Sequence, residues 1–163
     1  MNIYAVDKLT AEARRLAAEY RRVTGKTLAL SGEIAVNDAI RLLRLEPPES
    51  PNGGYDAMRR HAERIELIQI RARVVFDELK GPHRLGELKL DKPWDTLLVV
   101  LMNADYEPVE IYSLGRAEVQ AALEDRNPKQ KGSLTVARAK RVGTLVWAIT
   151  NVPAGPQSLD KVG

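Results

Sequence analysis

The residues of this chain that could do chemistry are oxygen donors and cations at four places. Glu33 falls in the first turn of a predicted helix, Asp56 follows a Gly53-Gly54-Tyr55 turn, and Gln69 and Arg71 stand two apart in an extended segment. Residues two apart on a strand share a face at roughly 6–7 Å, so a carbonyl at Gln69 and a cation at Arg71 can address one phosphate. A hard divalent ion takes oxygen ligands, and magnesium typically takes one or two carboxylates while keeping several waters. Glu33, Asp56 and Gln69 would suffice for magnesium or manganese. Glu33 also has a plainer explanation, because a helix dipole favours a carboxylate in the first turn.

Other chemistries find little support. The absence of cysteine removes disulfides, thiolate zinc sites and thiol nucleophiles. His61 and His83 lack the helical spacing of a two-histidine zinc site and read as surface residues. No Walker-type phosphate loop, dinucleotide fingerprint or Gly-x-Ser-x-Gly elbow occurs. Two literal Glu-x-Lys triplets compete with the Gln69 motif. Glu78-Leu79-Lys80 runs into Gly81-Pro82 and is a poor rigid platform, whereas Glu87 and Lys89 fall on a predicted short strand from Leu85 to Leu90.

These residues need a scaffold. Leu9, Ala13, Leu16, Tyr20 and Val23 form one stripe of a predicted helix from Asp7 to Thr24, ended by Gly25. Arg14 with Arg21 and Arg15 with Arg22 repeat at seven residues along its flank, as a solvated face or as phosphate contacts. Ser31 is the expected N-cap of a second helix reaching Leu43, and Pro47, Pro48 and Pro51 follow it. Alternation over Ile65 to Phe76 predicts a strand. The apolar run in Thr96 to Met102 predicts a central strand buried on both faces, and Asn103-Ala104-Asp105 turns the chain into a returning strand at Val109 to Tyr112. Arg116 to Leu123 reads as helix, and Thr135 to Ile149 as a helix or a mixed segment.

A length of 163 residues suits one domain, expected over residues 1–150, with a flexible tail over residues 151–163. The apolar run Leu97 to Met102 is far short of a membrane span, so the expected location is the cytoplasm. The net charge of +3 permits an anionic partner without requiring one. Arg126, Lys129, Lys131, Arg138, Lys140 and Arg141 fall in a stretch without acidic residues, beside Gly132 and Ser133. Such a cluster can hold phosphates by charge and backbone amides, or simply solubilise a loop. No aromatic lies among these cations, which argues against a base-stacking single-strand binder.

Ser31-Gly32-Glu33-Ile34-Ala35, Gly53-Gly54-Tyr55-Asp56-Ala57, Gln69-Ile70-Arg71-Ala72-Arg73 and Trp94-Asp95 ahead of Leu97 to Met102 occur in an informative order. Through them the chain resembles the PD-(D/E)xK superfamily, in the version with a helical Glu, a Gly-Tyr-Asp-Ala motif and a Gln-x-Lys strand. More narrowly, it resembles small bacterial proteins of unknown function within that superfamily. The resemblance implies an α/β restriction-endonuclease-like core, a mixed sheet flanked by helices, and magnesium-dependent hydrolysis of DNA by an activated water. Glu33, Asp56 and Gln69 would then hold the ion, Arg71 would take the place of the lysine, and Arg73 with the basic loop would meet DNA phosphates. Arginine stays protonated at neutral pH, so Arg71 can stabilise charge but cannot act as a base. The alternative is a non-catalytic nucleic-acid-binding or protein-interaction module on the same fold. A third reading is a toxin or defence component whose partner subunit supplies what this chain lacks, and a homodimer is also compatible with the resemblance.

Overall fold

The computed structural model describes residues 3–50, 53–76, 83–124 and 134–149. Among them are four helices and five strands. Helices α1 (Ile3–Thr24) and α2 (Ser31–Leu43) precede β1 (Ala57–Arg60), β2 (Ile65–Val74), β3 (Thr96–Met102) and β4 (Pro108–Gly115). Then come α3 (Arg116–Glu124), α4 (Val136–Val142) and β5 (Thr144–Ala148). The strands make one mixed sheet in the order β1-β2-β3-β4-β5, in which only β2 and β3 run parallel. No helix among the described residues is long and apolar enough to cross a membrane.

The centre of the sheet follows directly from side-chain alternation. Leu98, Val100 and Met102 of β3 enter a core beneath α1 and α2, together with Ile68, Ile70 and Ile111. Leu97, Val99 and Leu101 enter a second core beneath α3 and α4, with Trp94, Leu114 and Val119. Both faces of β3 are therefore buried, as its apolar run predicts, and each large side chain so buried contributes roughly 1.5–3 kcal/mol. Thr135 to Ile149 resolves into a helix and an edge strand. Gly143 turns the chain between them, where a Cβ would come within 2.7 Å of the Ala139 carbonyl oxygen.

Three expectations are corrected. The α1 stripe docks only in part: Leu9, Leu16 and Val23 are exposed, and the helix packs through Ala13 of the stripe with Ala17 and Ala18 beside it. Small side chains let α1 approach α2, where Ala35 and Ala39 are also buried, and close approach outweighs the area that the larger residues would cover. Ser31 is the first helical residue rather than the cap. The cap is Leu30, whose side chain makes no capping hydrogen bond. Leu85 to Leu90 is not a strand: its peptide groups are engaged in part by side chains, as described below, and in part by single backbone bonds such as that of the Leu85 N–H to the Leu134 carbonyl at 2.8 Å. The sequence also gave no sign of β1, a four-residue strand held by its pairing with Ile65–Ile68. The tail over residues 151–163 lies outside the described residues.

Candidate functional site

β1 pairs with β2 only as far as Ile68, and that difference in length creates the site. Asp56, immediately before β1, continues the ladder by other means. Its backbone N–H donates to the Ile68 carbonyl at 2.7 Å, and its carboxylate Oδ2 accepts from the Ile70 N–H at 2.8 Å. No described strand covers this edge of β2 beyond that point. The first turn of α2 overlies it, and Glu33, Asp56 and Arg71 line one cleft of about 340 Å³ with Gly32, Val36 and Ile70. Glu33 is exposed at this cleft, whereas Asp56 and Arg71 are half-buried.

Arg71 is held firmly. Its Nε donates to the Glu87 carbonyl at 3.1 Å, its Nη1 donates to the Ile70 carbonyl at 2.8 Å, and Nη1 stands 3.6 Å from Asp56 Oδ2. The guanidinium is thus a fixed cation beside the carboxylate. Gln69 has a different fate. It is 1% exposed, does not line the cleft, and shares its register with Leu97 of the second core. Its Nε2 donates to the Gly54 carbonyl at 3.2 Å, and its Oε1 accepts from the Lys89 N–H at 3.4 Å. A buried amide must find such partners, and here it ties two loops together.

The same crossover segment explains the rival motif. Glu87 and Lys89 are exposed, and it is their backbone that meets Arg71 and Gln69. Trp94 Nε1 donates to the Lys89 carbonyl at 2.8 Å, and Arg116 donates to the carbonyls of Leu90, Lys92 and Trp94. With these groups bound to side chains and the Leu85, Leu90 and Lys92 N–H groups donating to backbone carbonyls, this stretch needs no neighbouring strand. Gly54 faces it at φ 89°, so close to Lys92 that no Cβ would fit. Glu78 and Lys80 lie outside the described residues.

The other predicted cations are dispersed. Arg126, Lys129 and Lys131 lie outside the described residues. Arg138, Lys140 and Arg141 belong to α4, which packs on the second core, and Lys140 pairs with Glu110 at 3.4 Å. None of the three lines the cleft. Arg73 lines a separate cavity of about 620 Å³ with Arg21 and Tyr106, a grouping that the sequence did not reveal. The seven-residue repeat of Arg14 and Arg21 was the available signal. Arg14 instead forms a two-pronged pair with the buried Asp38 at 2.5 and 2.6 Å.

Elsewhere, Glu66 accepts from Thr96 at 2.6 Å and meets His61 at 2.7 Å, with Arg59 3.7 Å away. Burial works to raise its pKa, but these partners together outweigh burial and lower it from the usual carboxylate value. Two carboxylates on one cleft are a donor set that magnesium accepts, with water completing its shell. Among the described residues no three His, Asp or Glu side chains gather as metal ligands. No family model and no curated protein matches this chain.

Proposed function

We propose that this protein is a divalent-metal-dependent nuclease of restriction-endonuclease-like type, acting on DNA phosphodiesters at the cleft of Glu33, Asp56 and Arg71. The observation that carries this reading is that three residues far apart in the chain line one solvent-open cleft. An antiparallel β1–β2 pair followed by a parallel neighbour is compatible with such a core. Glu33 and Asp56 would hold magnesium or manganese, which when bound supplies Lewis-acid stabilisation of charge on the phosphate. Arg71, anchored by two carbonyls, neutralises charge developing on a non-bridging phosphate oxygen and pays little reorganisation for doing so. Glu33 is the exposed carboxylate available to take a proton from the attacking water. Gln69 acts by positioning, because its amide holds the Gly54 turn just before Asp56.

A second reading, a non-catalytic nucleic-acid-binding module, draws support from Gln69 and Arg71. The first is buried away from the cleft, and the second cannot serve as a base. Supercoiled plasmid with magnesium or manganese separates the two. The nuclease nicks the plasmid, and Asp56→Ala loses at least about a hundredfold in rate, the scale of a lost electrostatic group in a reacting site. Binding without nicking, together with activity gained by Arg71→Lys, would identify the module.

A further inference from the structure

The cavity of about 620 Å³ lies along β2 from the cleft, between the end of α1, the start of α2 and the β3–β4 turn. Among the described residues no acidic side chain lines it, while Arg21, Arg73 and His83 do. One of its polar groups lacks the partner that burial demands, and a second makes no hydrogen bond among the described residues. Arg21 Nη1 donates to the Gly25 carbonyl at 2.7 Å and its guanidinium lies 4.2 Å from the centre of the Phe76 ring, yet its buried Nε–H has no acceptor among the described residues. Tyr106 is 1% exposed, and its hydroxyl makes no hydrogen bond among the described residues. A buried donor left unmet, as at Arg21, is costly, and an anionic oxygen would satisfy it together with the Tyr106 hydroxyl.

The surroundings define that anion further. Thr27 and Ser31 bring hydroxyls to the wall. The Leu30 cap leaves the first amides of the thirteen-residue α2 without a side-chain acceptor, and a helix N-terminus so exposed favours phosphate. Leu28, Val74 and Phe76 add an apolar wall, and the volume falls within the range that encloses small organic ligands. We infer that this cavity binds an organic phosphate of mononucleotide size, its phosphate on Arg21, Tyr106 and the start of α2, and its body against the apolar wall.

The proposal does not depend on the nuclease reading. The phosphate could belong to a free mononucleotide or to the 5′ end of a strand, and calorimetric titration distinguishes these sources. AMP, adenosine, and one short oligonucleotide with and without a 5′ phosphate are the probes. AMP is expected to bind at least about tenfold more tightly than adenosine, reflecting charge-assisted hydrogen bonds to the phosphate. Preference for the phosphorylated oligonucleotide over AMP assigns a strand end, and the reverse assigns the free mononucleotide; both support the site. Tyr106→Phe removes one hydroxyl without emptying the core, so it should weaken AMP several-fold with an unchanged melting temperature. Arg73→Ala should weaken it about tenfold, and Asp56→Ala should leave it unaltered. Equal affinity for AMP and adenosine, or native AMP affinity in both Tyr106→Phe and Arg73→Ala, would overturn the proposal.

Discussion

The two faces of the sheet are covered by different means. The buried apolar side chains that α1 and α2 contribute are mostly alanines, and the layer is pinned by ion pairs centred on Arg14 and Asp38, where Arg14 also donates to the Tyr106 carbonyl at 2.9 Å and stands 3.8 Å from Glu107. Beneath α3 and α4 the residues are larger. There an irregular crossover covers the core, tied down residue by residue through Gln69, Trp94 and Arg116. Helices packed on small residues satisfy their own backbone but leave gaps where they end. A segment without regular structure must instead have its peptide groups satisfied by side chains, which uses up polar groups that might otherwise meet a ligand. Both candidate sites accordingly involve the start of α2.

Asp38→Ala should break the first arrangement most severely. Asp38 is 1% exposed and its removal leaves Arg14 in a half-buried position without its carboxylate, at a cost of about 3 kcal/mol. Urea unfolding measures this, and a loss below about 1 kcal/mol would show that the alanine packing carries the layer alone. Gln69→Leu tests the second face, since it leaves the Gly54 carbonyl and the Lys89 N–H without their amide partner. A loss of about 1–2 kcal/mol is expected, again by urea unfolding. If the variant is as stable as the native protein but binds manganese more weakly, Gln69 is a ligand and not a strut.

The smallest effect lies at the β1–β2 end, which neither helical layer pins. The folded-state pKa of Glu66 is lowered, so its carboxylate contributes stability above the unfolded value of about 4.3, and that contribution is lost as pH falls through the folded value. Glu66→Gln should therefore flatten the acid limb of a stability–pH curve and lower its neutral plateau slightly, with no change of slope between pH 7 and 8. An unchanged acid limb would place the acid sensitivity in other carboxylates.

Much of the scaffold was legible because burial on both faces leaves a clear mark. β3 occupies the whole predicted segment Thr96 to Met102, and α2 and the start of β2 also match. β1 was invisible because Arg59 and Arg60 break any apolar pattern, and partners distant in sequence order it: β2 on one edge and the Glu46 bridge to Met58 on the other. In α1, periodicity favoured Leu9, Leu16 and Val23, but the docking surface was chosen by how closely two backbones could approach. Glu33, Asp56, Gln69 and Arg71 were grouped through the resemblance, since nothing in composition or periodicity joins residues so far apart; Glu33, Asp56 and Arg71 line one cleft. The separation of Gln69 from them was not anticipated, since alternation gives the face of a strand and cannot say what covers that face.

The single parallel seam between β2 and β3 has a kinetic consequence. β3 and β4 close through a short turn, whereas joining β2 to β3 requires the long crossover to fold back, and contacts distant in sequence form slowly. The Glu33, Asp56 and Arg71 cleft draws all its side chains from elements before the seam, so it can assemble early. The larger cavity needs Tyr106 from beyond it and is complete only when the two halves have met. A molecule held there would act as a clasp across the seam, and pulse-labelled hydrogen exchange should find the amides bonded across the β2–β3 seam protected last during refolding.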